Sequence, residues 1–238
     1  MQPWHSSLFS AVTRLTGQAR EKGLHLTVSD DFDALVEAAG QAVGRGPVAP
    51  AFDPKVTELG AQNGFWVLGT DERGRVGHLQ AVRLIDTGRR TLRQHIDTHL
   101  LDFAPPHCAV DPDGSASEAP AANAFGGRLC YHGELWLRGG AEGFRGRGLS
   151  AALTRLGIVL AYLRWTPSVT FALVSAWSIE KALTDAYGYI NAEPRGAVWS
   201  IEGRAGKQEE WLVWVTPDQL GVLLEADERS DLPWRKAA

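Results

Sequence analysis

The chain has little of several things. Its 238 residues include two cysteines, Cys108 and Cys130, in unlike contexts. That excludes a disulfide framework and argues against a zinc site, so no metal is expected. No window holds the ~18 consecutive apolar residues of a membrane helix, and no membrane partner is expected. The opening "MQPWHSSLFSAVTRLTGQAR" has no unbroken apolar run of the signal-peptide kind. The expectation is a reduced, cytoplasmic, soluble protein. Positive charge is also in short supply: the net charge is -4. There is no broad basic field to hold nucleic acid, which is excluded as a partner.

What is present is ordinary for a globular chain, at 44% hydrophobic and 22% charged. Nine tryptophans are many for this length. They suit a core, a pocket wall or an interface. Trp199, Trp211 and Trp214 stand close together near the C-terminus, where core and a homodimer surface are both open readings.

Periodicity predicts a helix over residues 1–22, with Leu8, Val12, Leu15 and Ala19 on one face. A strand follows at "LHLTV", then a helix in "DDFDALVEAAGQAV", acidic in its first turn. A short helix is expected over residues 55–61. "GFWVLGTDERGRVGHLQAVRLID" reads as a hairpin of Phe65–Thr70 and Val76–Ile85. "RRTLRQHIDTHLLDF" reads as a helix with Leu92, Ile96, His99 and Leu100 on one side. Residues 105–127, rich in Ala, Pro, Asp, Ser and Gly, read as a long mobile loop or lid.

"RLCYHGELWLR" is a central strand candidate. Strict alternation puts Leu129, Tyr131, Leu135 and Leu137 on one face, and Cys130, His132, Glu134, Trp136 and Arg138 on the other. "GFRGRG" follows, then a helix carrying Leu149, Ala152, Leu153, Leu156, Leu160 and Leu163. "VTFALVSA" is a buried strand. "SIEKALTDAY" is a helix with Ser178 as N-cap and Gly188 past its end. "GAVWSIEG" and "QEEWLVWV" form a hairpin, and Thr216 caps a last helix with Pro217 at its first position. This order predicts a mixed α/β sheet with one parallel crossover near its middle. The expected organisation is an N-terminal helical extension (1–23), one domain (24–225) with a mobile loop at 104–127, and a tail (226–238).

The segment "GFRGRGLSAALTRL" carries the strongest chemical signal. A helix start presents unpaired N–H groups that suit phosphate. Gly146 and Gly148 give clearance, Arg145 and Arg147 add charge, and Ser150 adds a hydroxyl. It is not a Walker loop, since no Gly-Lys-Ser/Thr follows. Nor is it the dinucleotide fingerprint, since Ala151 replaces the third glycine. "HIDTH" sets His95 and His99 at a zinc-compatible spacing, but Ile96 stands where the H-E-x-x-H glutamate belongs. A solvated or pocket-lining helix face is the expected reading there.

"RGRGLSAALTRL", after "GELWL" and before a strand and "SIEKALTDAYGY", resembles the acetyl-CoA-binding core of the GNAT acyltransferases. Arg145, Gly148 and Ser150 match that family's Arg/Gln-x-x-Gly-x-Gly/Ala loop, and "AYGYINAEP" is similar to its "GF" ending. The likeness covers residues 128–190 best. It implies the GNAT fold: a mixed, mostly antiparallel sheet with a parallel, splayed central strand pair, flanked by helices. It implies acetyl-CoA or another acyl-CoA as cosubstrate, with its pyrophosphate on Arg145, Gly146, Arg147, Gly148, Leu149 and Ser150. The pantetheine arm would lie in a V-shaped gap between "CYHGELWL" and "VTFALVS", along Leu135, Trp136 and Leu137. The acyl group would pass directly to an amine of a small molecule or peptide. Glu134 is the leading base, His132 an alternative on the same strand, and Tyr187 a candidate acid or a core aromatic. Thr184 stands where the family's helix tyrosine is usual. Two other readings remain: acyl transfer like that of acyl-homoserine-lactone synthases, suggested by "AVRLIDTGRRTLRQHIDTHLLDF", and a non-catalytic acyl-CoA sensor.

Overall fold

The fold is described from a computed structural model, covering residues 5–106, 108–180 and 187–228. One eight-stranded sheet organises the chain: β1 (His25–Ser29), β2 (Gly64–Thr70), β3 (Val76–Thr91), β4 (Val110–Ala116), β5 (Gly126–Leu137), β6 (Val169–Ser175), β7 (Asn191–Ile201) and β8 (Lys207–Val215). The strand order is β1-β2-β3-β5-β6-β8-β7-β4. Every neighbour pair is antiparallel except β5–β6. That parallel pair is joined by α4 (Leu149–Trp165), a single crossover near the middle of the sheet, as the sequence order requires.

The sheet is covered on both faces. On the back lie α1 (His5–Glu21), α4 and α6 (Pro217–Glu228). Leu8, Leu15, Leu156, Val159, Leu220 and Leu224 share one buried cluster there. On the front lie α2 (Phe32–Gln41) and α3 (Leu92–Thr98), whose Phe32, Leu35, Leu92 and Ile96 pack with Phe52, Tyr131, Phe171 and Trp199. The segment expected as an N-terminal extension is therefore part of the back layer. Trp199, left open between core and interface, is fully buried in the front core.

Local chemistry fixes the helix starts. Asp31 caps α2 by accepting from the Ala34 N–H at 3.1 Å. Thr91 and Gln94 form a capping box at α3. Thr216 and Gln219 exchange the equivalent bonds at α6, as expected.

Four expectations are corrected. Residues 55–61 form turns, and the nearby helical element is a 3-10 turn at Pro50–Phe52. The segment 105–127 holds β4, which extends the sheet edge on β7, and a 3-10 turn at Pro120–Asn123. The helix α5 (Ala176–Glu180) begins before Ser178, which lies inside it rather than at its cap. The strict alternation of β5 also fails. Ala81 faces Gly133, but Leu79 faces Trp136, so β5 carries an extra residue there. Glu134 sits in this bulge at φ 60, a conformation that costs an L-residue with a Cβ about 1 kcal/mol or more. Past the bulge the faces swap. Trp136 joins Tyr131 in the front core, and Leu137 joins the back with Leu149 and Leu153.

Candidate active site

The strands β5 and β6 pair only at Leu129–Val169, Cys130–Thr170 and Tyr131–Phe171. Beyond these pairs they separate. Their facing edges then lose each other as ladder partners, leaving backbone groups that need a partner from elsewhere. A cleft of about 270 Å³ opens in the gap. It is lined by His132 to Leu135 on one side, Ala172 to Ser175 on the other, and by Thr154, Ser178, Tyr187 and Tyr189.

Of the expected site residues, His132, Glu134, Leu135 and Tyr187 reach this cleft. Trp136 and Leu137 do not line it. Their side chains are in the front and back cores. Their carbonyls are also engaged, by His78 Nδ1 at 2.9 Å and by Arg145 Nε–H at 2.6 Å. The bulge shifts the cleft-facing stretch toward the start of the strand. Thr184 lies outside the described residues.

His132 is buried between two partners. Gln80 donates its Nε2–H to the Leu153 carbonyl at 2.8 Å, which leaves Gln80 Oε1 to accept from His132 Nε2–H at 2.9 Å. The other ring nitrogen, Nδ1, then accepts the Tyr189 hydroxyl at 2.7 Å. Burial pushes this imidazole down to about 4. It is neutral at physiological pH, and both nitrogens are committed, so its job is to hold the cleft wall. Tyr189 was missed in the sequence, where it reads only as the aromatic of the "GF"-like ending. Tyr189→Phe should cost about 1–3 kcal/mol by stranding His132 Nδ1. Urea unfolding of the variant beside wild type checks this.

Glu134 is held as firmly. One oxygen accepts from the Ala49 N–H at 2.9 Å, and the other pairs with Arg45, both side chains being nearly sealed from solvent. The nearest polar side chains along the strand itself, Arg138 and His132, are engaged elsewhere. Arg138 pairs with Asp71 at 2.7 Å. Glu134 thus ties the segment after α2 over the front of the bulge.

The loop between β5 and α4 is built around Arg138 and Phe144. The Arg138 carbonyl accepts from the N–H groups of Phe144, at 2.7 Å, and Arg145, at 3.2 Å. This closes residues 139–143 into a compact turn. The Phe144 ring is buried between the guanidinium groups of Arg138 and Arg147, at 5.3 and 5.2 Å. A Cβ on Gly143 would stand 2.3 Å from the Gly139 carbonyl oxygen. Gly143→Ala should therefore cost about 1–3 kcal/mol through forced backbone movement, read as a lower thermal midpoint.

Gly146 and Gly148 have φ of 79 and 75. An added Cβ at either would meet nothing within 4 Å, so both face open space. Gly148 is the N-cap of α4 and brings no side-chain cap. The first N–H groups of a 17-residue helix therefore point outward without a capping side chain. Arg147 is exposed above them, and Ser150 is half-buried in the first turn. Leu149 is core, packed with Phe144 and Leu153, and anchors the helix start. The donor set, the dipole and the glycine clearance together fit a pyrophosphate.

A mostly antiparallel sheet, one parallel pair that splays into a cleft, and a glycine-arginine loop opening the crossover helix beside it have now been described. This is the arrangement that the resemblance to the GNAT acyltransferases implies. No protein-family model matches the sequence, and no curated protein matches it significantly. Solved structures similar to this chain include aminoglycoside acetyltransferase AAC(6')-Ib in complex with coenzyme A and kanamycin. It shows 11% identity and a TM-score of 0.41, covering 82% of this chain and 96% of that one. Arabidopsis thaliana NAA60 in complex with acetyl-CoA shows 12% identity and a TM-score of 0.44, covering 82% and 99%. The AHL synthase LasI shows 10% identity and a TM-score of 0.41, covering 80% and 89%. At this distance a functional reading rests on the chain's own residues.

Elsewhere, His95 is buried and packs on His99 with ring centroids 4.6 Å apart, while Asp97, Thr98 and His99 line a surface pocket, the pocket-lining alternative expected of "HIDTH". Among the described residues no helix is long and apolar enough to cross a membrane.

Proposed function

We propose that this chain is an acyl-CoA-dependent acyltransferase that moves an acyl group, acetyl in the simplest case, onto an amine of a small molecule or peptide. The observation that carries the reading is the splay of β5 from β6 beside the uncapped start of α4. One end of the gap suits an extended arm with amide groups, and the other suits a pyrophosphate.

In this reading the N–H groups at the start of α4 and the Gly146–Gly148 turn hold the pyrophosphate, with Arg147 adding charge. Arg145 keeps the loop in place through Leu137. The unpaired edges of β5 and β6 between His132 and Ser175 take the pantetheine amides. The cosubstrate supplies an activated thioester. The chain supplies a dry, rigid slot that orients it, with His132, Gln80 and Tyr189 fixing one wall. Orientation of this kind is worth several kcal/mol of the barrier. The acceptor approaches from the front, where Glu134, Arg45 and the segment around Pro50 form the border.

The test is release of free thiol from acetyl-CoA in the presence of amines, with spermidine and a short peptide as probes. Amine-dependent thiol release supports the transferase. Acetyl-CoA binding without release under any amine favours the sensor reading. Release only from an acyl carrier protein favours the lactone-synthase reading.

A further inference from the structure

We infer that Glu210, on β8, is the general base that takes the proton from the acceptor ammonium; this rests on the acyltransferase reading above.

The placement follows from register. Glu210 pairs with Ser175 across β6–β8, and Ser175 lines the cleft. Directly opposed residues in an antiparallel pair have Cβ atoms about 5 Å apart. Phe171 is in the front core and Leu173 packs against it, so Ser175, two residues on, points to the front. On β8, Leu212 is front core, and Glu210 is two residues before it. The carboxylate is therefore on the front of the sheet, one strand over from the cleft and beside its lining residue Ser175. The bond from Trp199 Nε1–H to Glu210 Oε2, at 2.9 Å, confirms this orientation, since Trp199 is buried in the front core.

The neighbouring carboxylates are committed. Glu134 is held by Arg45 and Ala49, and Glu193 accepts from the Ala121 N–H at 2.8 Å. Glu118 and Glu209 both pair with Arg195. Glu210 differs: its other oxygen has no protein partner among the described residues, and the residue is only half-buried. The groups facing it are Ser175 from β6, Trp199 from β7 and the Tyr131 phenol from β5. Tyr131 is itself pushed up by burial and by the Glu210 charge, so it is neutral at physiological pH. Burial raises the Glu210 carboxyl, and the Trp199 bond partly offsets this. A raised carboxyl pKa makes a stronger base.

The step balances as follows. Glu210 takes one proton from the ammonium and passes it to solvent. The freed nitrogen lone pair forms a C–N bond at the thioester carbonyl. The C–S bond breaks with its electron pair on sulfur, and the second proton on nitrogen ends on the thiolate. Products are the amide, the free thiol and one proton in solvent.

The experiment compares wild type with Glu210→Gln, which can still accept the Trp199 bond, and with Trp199→Phe, which keeps the carboxylate but removes that donor. Acetyl-CoA binding is read by calorimetry, and thiol release is read with spermidine and a short peptide across pH. The expected result is unchanged binding in Glu210→Gln with kcat reduced by about 100-fold or more. In Trp199→Phe the acidic limb of the rate profile should move to higher pH, because losing the donor raises the carboxyl pKa. Wild-type rates in Glu210→Gln, or an unmoved limb in Trp199→Phe, overturn the assignment and leave the acyl-CoA reading standing. Wild type that binds acetyl-CoA but acylates no amine overturns Glu210 as base. Wild type that does not bind acetyl-CoA overturns both.

Discussion

Stability should fall by at least about 4 kcal/mol between about pH 7.5 and about pH 5, well before the carboxylates titrate. The cause is three buried histidines. Burial pushes His78 down to about 3, and His95 and His132 down to about 4. In the unfolded chain each has a pKa near 6.5. The sign follows from linkage. Above about 6.5 all three are neutral in both states and their stabilisation is complete. As pH falls below about 6.5 the unfolded chain takes up protons that the folded chain refuses until its own depressed values are reached. Each site then forfeits on the order of 3 kcal/mol in full. Together they approach the whole stability of an ordinary domain, about 5–15 kcal/mol. Urea midpoints across this range are the measurement. His78→Phe, which removes one of the three, should flatten the slope. A stability that changes by less than about 1 kcal/mol over the window would mean the histidines are not sealed as described.

The second large effect is on binding. Gly148→Glu should weaken acetyl-CoA by at least about 100-fold, roughly 2.7 kcal/mol. The open space around a Cβ here means the variant has no clash to relieve. The positive φ adds about 1–2 kcal/mol of strain, which affects folding more than affinity. Loss of dipole attraction contributes only about 0.3–1 kcal/mol. Charge repulsion decides the outcome: a carboxylate about 4 Å from a phosphate costs about 4 kcal/mol at an effective dielectric near 20. Gly148→Ala separates these effects, because it carries the strain without the charge. It should lose less than about tenfold in affinity. Equal losses in the two variants would mean the turn, not the field at the start of α4, is what matters.

Much of this was legible in the sequence because it is local. The apolar periodicity of α4, the β-branched run in β6, the hairpin of "GAVWSIEG" and "QEEWLVWV" and the glycine-arginine turn each announce themselves within a few residues. What was not legible depends on partners far along the chain. Glu134 reads as a free strand carboxylate, yet its partner Arg45 comes from a loop before β2. The bulge at Glu134 has no marker, since a glutamate at φ 60 is not a residue one would choose for that conformation. Missing it inverted the faces of Trp136 and Leu137. β4 escaped because "VDPDGSA" carries a proline and a glycine. It succeeds as a strand only at the sheet edge, paired irregularly between Asp111 and Ala116. Glu210 was hidden in plain sight, as one acid in "QEEWLVWV". Only the pairing of β8 with β6 brings it beside Ser175, which lines the cleft.

The measurement that bears most directly on the central claim is a calorimetric titration of the full chain with acetyl-CoA. A cleft already open between β5 and β6, ending at an uncapped helix start, should bind one equivalent with micromolar affinity, near -8 kcal/mol, roughly. No heat and no competition up to about millimolar acetyl-CoA, weaker than about -4 kcal/mol, would contradict the account.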